Sequence, residues 1–242
     1  MSDQVKVARQ LVFTGDAAQE PNIEGNLNPV KKFVSYDFTE LALDATNKYT
    51  NYIDTTSAVA LASGGVTLTT AATDTKTCSM SAGGIWWYPA KNPVVEMRFQ
   101  LDVVTTVAIN VGFSDAVSEG SGALPFTISG TTVTDTATNA AMFCFDTNQT
   151  TKYWYIVNTK ANTEGGTILP SSCAPVAATD VVLRVALDSS GNARYYYNGV
   201  EVGYKASATT STTPLVGYFG IRNNTATAHI ATLKYIRYWC DM

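Results

Sequence analysis

Between residues 95 and 102 the chain alternates apolar and polar side chains without a break: Val95, Met97, Phe99 and Leu101 fall on one side, Glu96, Arg98, Gln100 and Asp102 on the other. Successive strand residues point to opposite faces, so this register predicts a half-buried antiparallel strand. Val103 to Thr106 then reads as a turn, with Val107 to Phe113 returning beside the first strand as the second arm of a hairpin. A second unit runs from Asp180 to Lys205: Val181, Leu183, Val185 and Leu187 alternate inward, Asp188 to Asn192 turns, Ala193 to Tyr197 returns, and Asn198-Gly199 turns again into Val200. Asn-Gly is a strong hairpin signal because both central residues of the turn adopt positive φ, and a three-stranded meander follows.

Val216 to Arg222 and His229 to Trp239 predict two further strands around the polar Asn223-Asn224 turn. In the terminal strand Lys234 and Arg237 fall on opposite sides, so alternation assigns it no inward face. Between Lys32 and Asp44 the apolar positions Phe33, Val34, Tyr36, Phe38, Leu41 and Leu43 fit neither a helical nor a strand period. Thr-rich and Ala-rich stretches, Leu68 to Thr77 and Thr127 to Thr138, suit half-solvated β surface. Residues 1 to about 30 are polar and loop-like, with one short β-like run from Val5 to Phe13. The expected organisation is an N-terminal arm and linker over 1–30 and an all-β, two-sheet antiparallel jelly-roll sandwich over 31–242.

Composition narrows the function classes. Of 242 residues, 45% are hydrophobic and 15% charged, which describes a folded globular chain. No run approaches the roughly 18–20 apolar residues that span a bilayer, and the N-terminus lacks the apolar segment of a secretory signal, so no membrane association is expected. With 16 Lys+Arg against 20 Asp+Glu and no basic cluster beyond Lys31-Lys32, nucleic acid is not an expected partner. Cys78, Cys144, Cys173 and Cys240 form no CxxC pair, and reduced thiols are expected in a chain made without a signal peptide. Asn148-Gln-Thr150 and Asn223-Asn-Thr225 match the glycosylation pattern, which has meaning only on a secretory route.

The segment Asp180 to Val200, ending in Tyr196-Tyr197-Asn198-Gly199, resembles the strand, Asp/Gly turn and strand ending in Tyr-x-Asn-Gly of concanavalin A-like lectin and laminin-G-like jelly rolls. That resemblance implies a two-sheet antiparallel jelly roll closed by a late strand such as His229 to Trp239. The domain with its polar arm and low charge is also similar to bacteriophage virion accessory proteins, among them head decoration proteins, head fibres and tail-fibre modules. This implies attachment to a major capsid protein or neighbouring virion subunits, a location on the virion surface after synthesis in the host cytoplasm, and a homo-oligomer, a trimer being favoured.

Chemistry-bearing constellations are sparse. Jelly-roll enzymes that cleave glycans carry a Glu-x-Asp-x-x-Glu pattern on one strand, since an acid and a nucleophile must project from one face about 5 Å apart. The sequence has no such triplet, and Glu96 and Asp102, six residues apart, read as solvated surface. His229 is the single histidine and no Gly-x-Ser-x-Gly elbow accompanies it, so it reads as structural or surface. Asp115, Asp146, Asp188 and Asn192 are oxygen donors of the type calcium takes, but no spacing unites them. No metal, cofactor or catalytic residue is therefore expected.

The most distinctive local features are the aromatic triplets Trp86-Trp87-Tyr88, Tyr153-Trp154-Tyr155 and Tyr195-Tyr196-Tyr197. Period-2 alternation sends neighbours to opposite faces, so each triplet turns at least one ring away from the core unless both faces are covered. Trp86, Trp87, Tyr88, Tyr153, Tyr155 and Tyr196 are the candidate contacts, whether as packing between sheets, a subunit interface or a stacking platform for sugar rings. The leading expectation is a non-enzymatic capsid decoration protein held by its N-terminal arm, with weak glycan binding as an accessory property. The alternative is a carbohydrate-binding module or receptor-binding fibre tip that uses Trp86, Trp87 or Tyr88.

Overall fold

The computed structural model describes residues 31–38, 42–44, 48–116 and 123–241, so the expected arm over 1–30 lies outside the described residues. The strands are β1 (Lys31–Tyr36), β2 (Tyr49–Ile53), β3 (Ala58–Ala62), β4 (Gly65–Thr69), β5 (Thr77–Trp87), β6 (Val94–Leu101), β7 (Val107–Ser114), β8 (Phe126–Ser129) and β9 (Thr132–Asp135). They continue as β10 (Asn139–Asp146), β11 (Tyr155–Lys160), β12 (Glu164–Ile168), β13 (Asp180–Leu187), β14 (Ala193–Tyr197), β15 (Val200–Lys205), β16 (Leu215–Asn223) and β17 (Ile230–Asp241). The first sheet has the order β15-β14-β13-β6-β17-β4-β3, with β1 pairing the C-terminal half of β17; the second has β12-β11-β10-β7-β16-β5-β2; β8 and β9 form a separate hairpin. All pairings in the two large sheets are antiparallel, as a jelly-roll sandwich requires.

The core lies between the two sheets. Val95, Met97, Phe99 and Leu101 of β6 and Leu183, Val185 and Leu187 of β13 meet Phe143 and Phe145 of β10 and Phe219 of β16. Trp154 sits edge-on to Phe99 and Phe143, each at 6.2 Å between ring centres. Burying each such ring contributes about 2–3 kcal/mol, and this cluster fixes the layer spacing.

One expectation changes, and two stretches that the pattern left unassigned take form. Strand β7 does not pair with β6: both edges of β6 are taken by β13 and β17, and the chain crosses between layers through 102–106 so that β7 lies between β10 and β16. The unassigned stretch after Lys32 begins with strand β1, which borders only β17. The terminal strand defeats alternation because its register shifts between Leu233 and Tyr235. Ala231 and Leu233 face the core before this bulge, Ile236 and Tyr238 after it, and the extra residue leaves Lys234 and Tyr235 both on the outer face.

The meander β13-β14-β15 forms as expected, with Asn198 at φ 49° and Gly199 at φ 84° in its tight turn and a register shift between Tyr195 and Tyr196 against β15. All four cysteines are free; burial pushes the Cys78 thiol up to about 12. Gly112 of β7 has φ 151° and lies so close to β10 that a Cβ there would stand 2.5 Å from the Ala141 carbonyl oxygen. Gly112→Ala is expected to lower stability by about 2–3 kcal/mol, read as a reduced denaturation midpoint with an unchanged slope.

Candidate functional site

The outer face of the second sheet is covered over its central strands. The β8–β9 hairpin lays Leu124, Phe126, Ile128 and Ala137 over Ala140, Met142 and Cys144 of β10, Val157 of β11 and Tyr218 of β16, making a second hydrophobic cluster. Strands β7 and β10 are consequently buried on both faces. Asn110 clamps the hairpin: its Oδ1 accepts from the Phe126 amide at 2.7 Å and its Nδ2 donates to the Phe126 carbonyl at 3.0 Å. Asp146, 1% exposed, accepts from Arg222 and the Ile128 amide on Oδ2 and from Asn224 and the Asn148 amide on Oδ1. Its lone pairs hold a loop together and offer nothing to a ligand.

The outer face of the first sheet is different. Tyr196 on β14 stands opposite Arg184 on β13, Arg184 opposite Glu96 on β6, Glu96 opposite Arg237 on β17, and Arg237 opposite Ser35 on β1. One row of side chains thus crosses five strands. Arg184 forks onto Glu96 Oε2 through Nε at 2.8 Å and Nη2 at 2.7 Å, and its guanidinium lies 5.2 Å from the Tyr196 ring and 5.6 Å from the Trp239 ring. The Tyr235 hydroxyl donates to Glu96 Oε1 at 2.9 Å. Arg237 rests on the Tyr235 ring at 4.1 Å. Beside this row, Asp180 receives Arg98 at 2.5 Å on Oδ2 and Lys234 at 2.6 Å on Oδ1; farther out, Arg194 pairs with Glu201 at 2.8 Å and lies over Tyr204.

Burial sharpens these contacts. Only 6% of the Glu96 side chain and 12% of the Arg184 side chain are exposed, so Glu96 is a buried ion-pair partner and not the solvated residue its pattern suggested. Burial, reinforced by the Glu96 carboxylate, raises the Tyr235 phenol and keeps it a donor. Burial alone would raise the Asp180 carboxyl, but hydrogen bonds from Lys234 and Arg98 offset it and leave the group below the usual carboxylate range. The result is a strip in which Arg184, Arg194 and Arg237 each lie within cation–π distance of an aromatic ring.

The sequence-predicted contacts do not assemble. Trp87 is buried and stacks on Tyr238 at 4.8 Å; the Trp86 side chain lies outside the described residues; Tyr88 is 42% exposed. Tyr153 is half-buried, and Tyr155 is buried beneath the hairpin. Tyr196 alone joins the strip. His229 is buried, with Nε2 2.8 Å from the Thr106 hydroxyl, and serves the packing there. Asp115 accepts from the Thr138 and Asn139 amides, and Asp188 from those of Ser190 and Asn192. Among the described residues, no group of three or more His, Cys, Asp or Glu side chains gathers to hold a metal. Asn223 of the second glycosylation match is buried, its Nδ2 donating to the Ala71 and Thr73 carbonyls.

The sequence matches no family model and no curated protein. Solved structures do match. LamA of Z. galactanivorans, in complex with laminaritriose and laminaritetraose, superposes at TM-score 0.62 with 9% identity over 86% of this chain and 98% of that one. The Emp47p carbohydrate recognition domain gives 0.54 and 8% over 81% and 90%. A sialidase gives 0.57 and 10% over 85% of this chain, which spans 18% of the sialidase's length. At these identities the likeness establishes the concanavalin A-like jelly-roll fold. Laminarinase and β-glucanase structures, catalytic domains among them, recur in the matches. They overturn the expectation of a non-enzymatic capsid decoration protein, and nothing in the comparisons supports a bacteriophage context. That expectation took the lack of a one-strand carboxylate triplet, together with a polar N-terminus, as marks of a virion component. Neither feature excludes carbohydrate chemistry on this fold.

Glu96→Ala is expected to lower stability by about 3 kcal/mol, because it strands the Arg184 charge, whereas Glu96→Leu combined with Arg184→Met recovers most of the loss in equilibrium unfolding. The depressed Asp180 carboxyl contributes stability that is present above the ordinary aspartate value of about 3.9 and lost as pH falls through its folded value. Asp180→Asn should flatten that acid limb of the stability profile.

Proposed function

We propose that this chain is a carbohydrate-active jelly-roll domain that engages a polysaccharide on the outer face of its first sheet. One observation carries the reading: the Arg184 guanidinium is clamped between the rings of Tyr196 and Trp239 while Glu96 fixes one edge. A guanidinium pre-oriented in this way presents its remaining N–H donors at no further cost in side-chain entropy, which matches the paired hydroxyl oxygens of a sugar. The half-buried Tyr196 ring beside it offers apolar surface to the sugar's C–H groups. The fold supports the reading too, since the Emp47p domain is a carbohydrate recognition domain and LamA was crystallised with glucan oligosaccharides.

Glycoside hydrolysis is the second reading, favoured by the catalytic domains among the structural neighbours. On this face it would fall to Glu96, a buried carboxylate hydrogen-bonded by a phenol. Asp180, four residues along β13 from the residue opposite Glu96, lies roughly 13 Å away on the rise of an extended strand. That exceeds the roughly 5–9.5 Å of a hydrolytic carboxylate pair, so the two do not act together.

Both readings are tested by titrating a panel of polysaccharides by calorimetry while assaying the same mixtures for reducing ends. Tyr196→Ala is expected to weaken binding about tenfold, or about 1.4 kcal/mol. Release of reducing ends that disappears in Glu96→Gln would establish hydrolysis. Absence of binding to every polysaccharide would overturn the proposal.

A further inference from the structure

The strip carries more positive charge than its own carboxylates neutralise, although the whole chain has a formal net charge of −4. Across the neighbouring strands β13, β6 and β17, four cations, Arg98, Arg184, Lys234 and Arg237, stand with three carboxylates, Glu96, Asp180 and, at the far end of β17, Asp241, which is held by Asn92. The surplus is localised. Arg184 has Glu96, and Arg98 and Lys234 share Asp180. Arg237 stands directly opposite Glu96, but both Glu96 oxygens are already taken, Oε2 by Arg184 and Oε1 by the Tyr235 hydroxyl. Its nearest anion is Asp37 at the rim, 3.9 Å from Nη2 and 52% exposed, too far for a hydrogen bond and well solvated. Its Nε is buried without a partner, and no described residue accepts a hydrogen bond from it. Yet the Tyr235 ring holds the group in place at 4.1 Å, with 21% of the side chain exposed.

A fixed, partly buried guanidinium whose Nε lacks a partner and whose one counter-ion is a solvated carboxylate beyond hydrogen-bond reach suits an anionic oxygen group: it offers a planar fork that a carboxylate or sulfate meets with two parallel bonds. We infer that the strip is selective for acidic polysaccharide, with Arg237 receiving the ligand's anionic group while the Tyr196–Arg184–Trp239 stack holds the sugar beside it. This rests on the saccharide reading above and names the substrate class within it. Uronate carboxylates and sulfate esters share the required chemistry.

The test compares binding of the full chain to three ligand sets at 50 and 500 mM NaCl: neutral β-glucan oligosaccharides, oligogalacturonates, and a sulfated galactan alongside its desulfated form. Acidic ligands are expected to bind at least tenfold more tightly than neutral ones at low salt and to lose most of that advantage at high salt, since exposed charges are screened within a few ångströms there. Preference for the oligogalacturonates identifies a carboxylate ligand, and preference for sulfated over desulfated galactan a sulfate ligand. Arg237→Gln should reduce affinity for the acidic ligand at least tenfold and lower the ratio of acidic to neutral affinity at least fivefold. Arg237→Lys, which keeps the charge and loses the fork, should fall between, and it carries the comparison if the Gln variant does not fold. Equal binding of neutral and acidic ligands, or an Arg237→Gln variant that keeps its acidic affinity, overturns this inference and leaves the saccharide reading standing. Binding to no saccharide of any class removes both.

Discussion

One extra residue in the closing strand decides which side chains meet on the outer face of the first sheet. Without the bulge between Leu233 and Tyr235, strict alternation would send either Lys234 or Tyr235 inward. With it, Lys234 reaches Asp180 and Tyr235 reaches Glu96, and the next outward positions become Arg237 and Trp239. The same shift brings Ile236 and Tyr238 into the core, where Tyr238 stacks on Trp87. A local irregularity thus serves two ends: it completes the interior of the sandwich and lines up a charged, aromatic row on its exterior.

The two outer faces have opposite fates for a physical reason. Ala140, Met142 and Cys144 on β10 would expose an apolar surface if the second sheet stood bare, and the β8–β9 hairpin removes that surface from water. On the first sheet the corresponding positions are Glu96, Arg98 and Arg184, which need no cover once Arg184 is paired with Glu96 and Arg98 with Asp180. Ion pairs between such groups are worth little when fully solvated; these are held by neighbouring rings and by a bidentate fork, so they act chiefly to fix geometry.

The alternating run at β6 and the Asn-Gly meander were legible because their pattern is local: each residue's face follows from its neighbours in the chain. What pairs with what is not local. The turn after Leu101 reads like a hairpin, yet β6 is filled on both sides by strands 80 or more residues downstream, and β7 goes to the other layer. The site was hidden for the same reason. Tyr196, Arg184, Glu96, Arg237 and Ser35 come from five strands, and only Tyr196 stood out, through its aromatic triplet. Glu96 within Val-Glu-Met-Arg was visible as an outward charge; that Arg184 faces it required the register of β6 against β13. Trp87 and Tyr155 drew attention by composition but lie under cover on the second sheet, where the hairpin and the arrangement around Tyr238 bury them.

The central claim is that the first sheet's outer face, and not the covered second sheet, meets the ligand. Side-chain NMR of the arginine Nε–H groups during titration with an oligosaccharide that binds tests it most directly, because Arg184 and Arg237 report the strip and Arg222 reports the clasp beneath the hairpin. The account predicts that the Arg184 and Arg237 resonances move with saturation while Arg222 stays still. Movement of Arg222 with both strip arginines unchanged would contradict it.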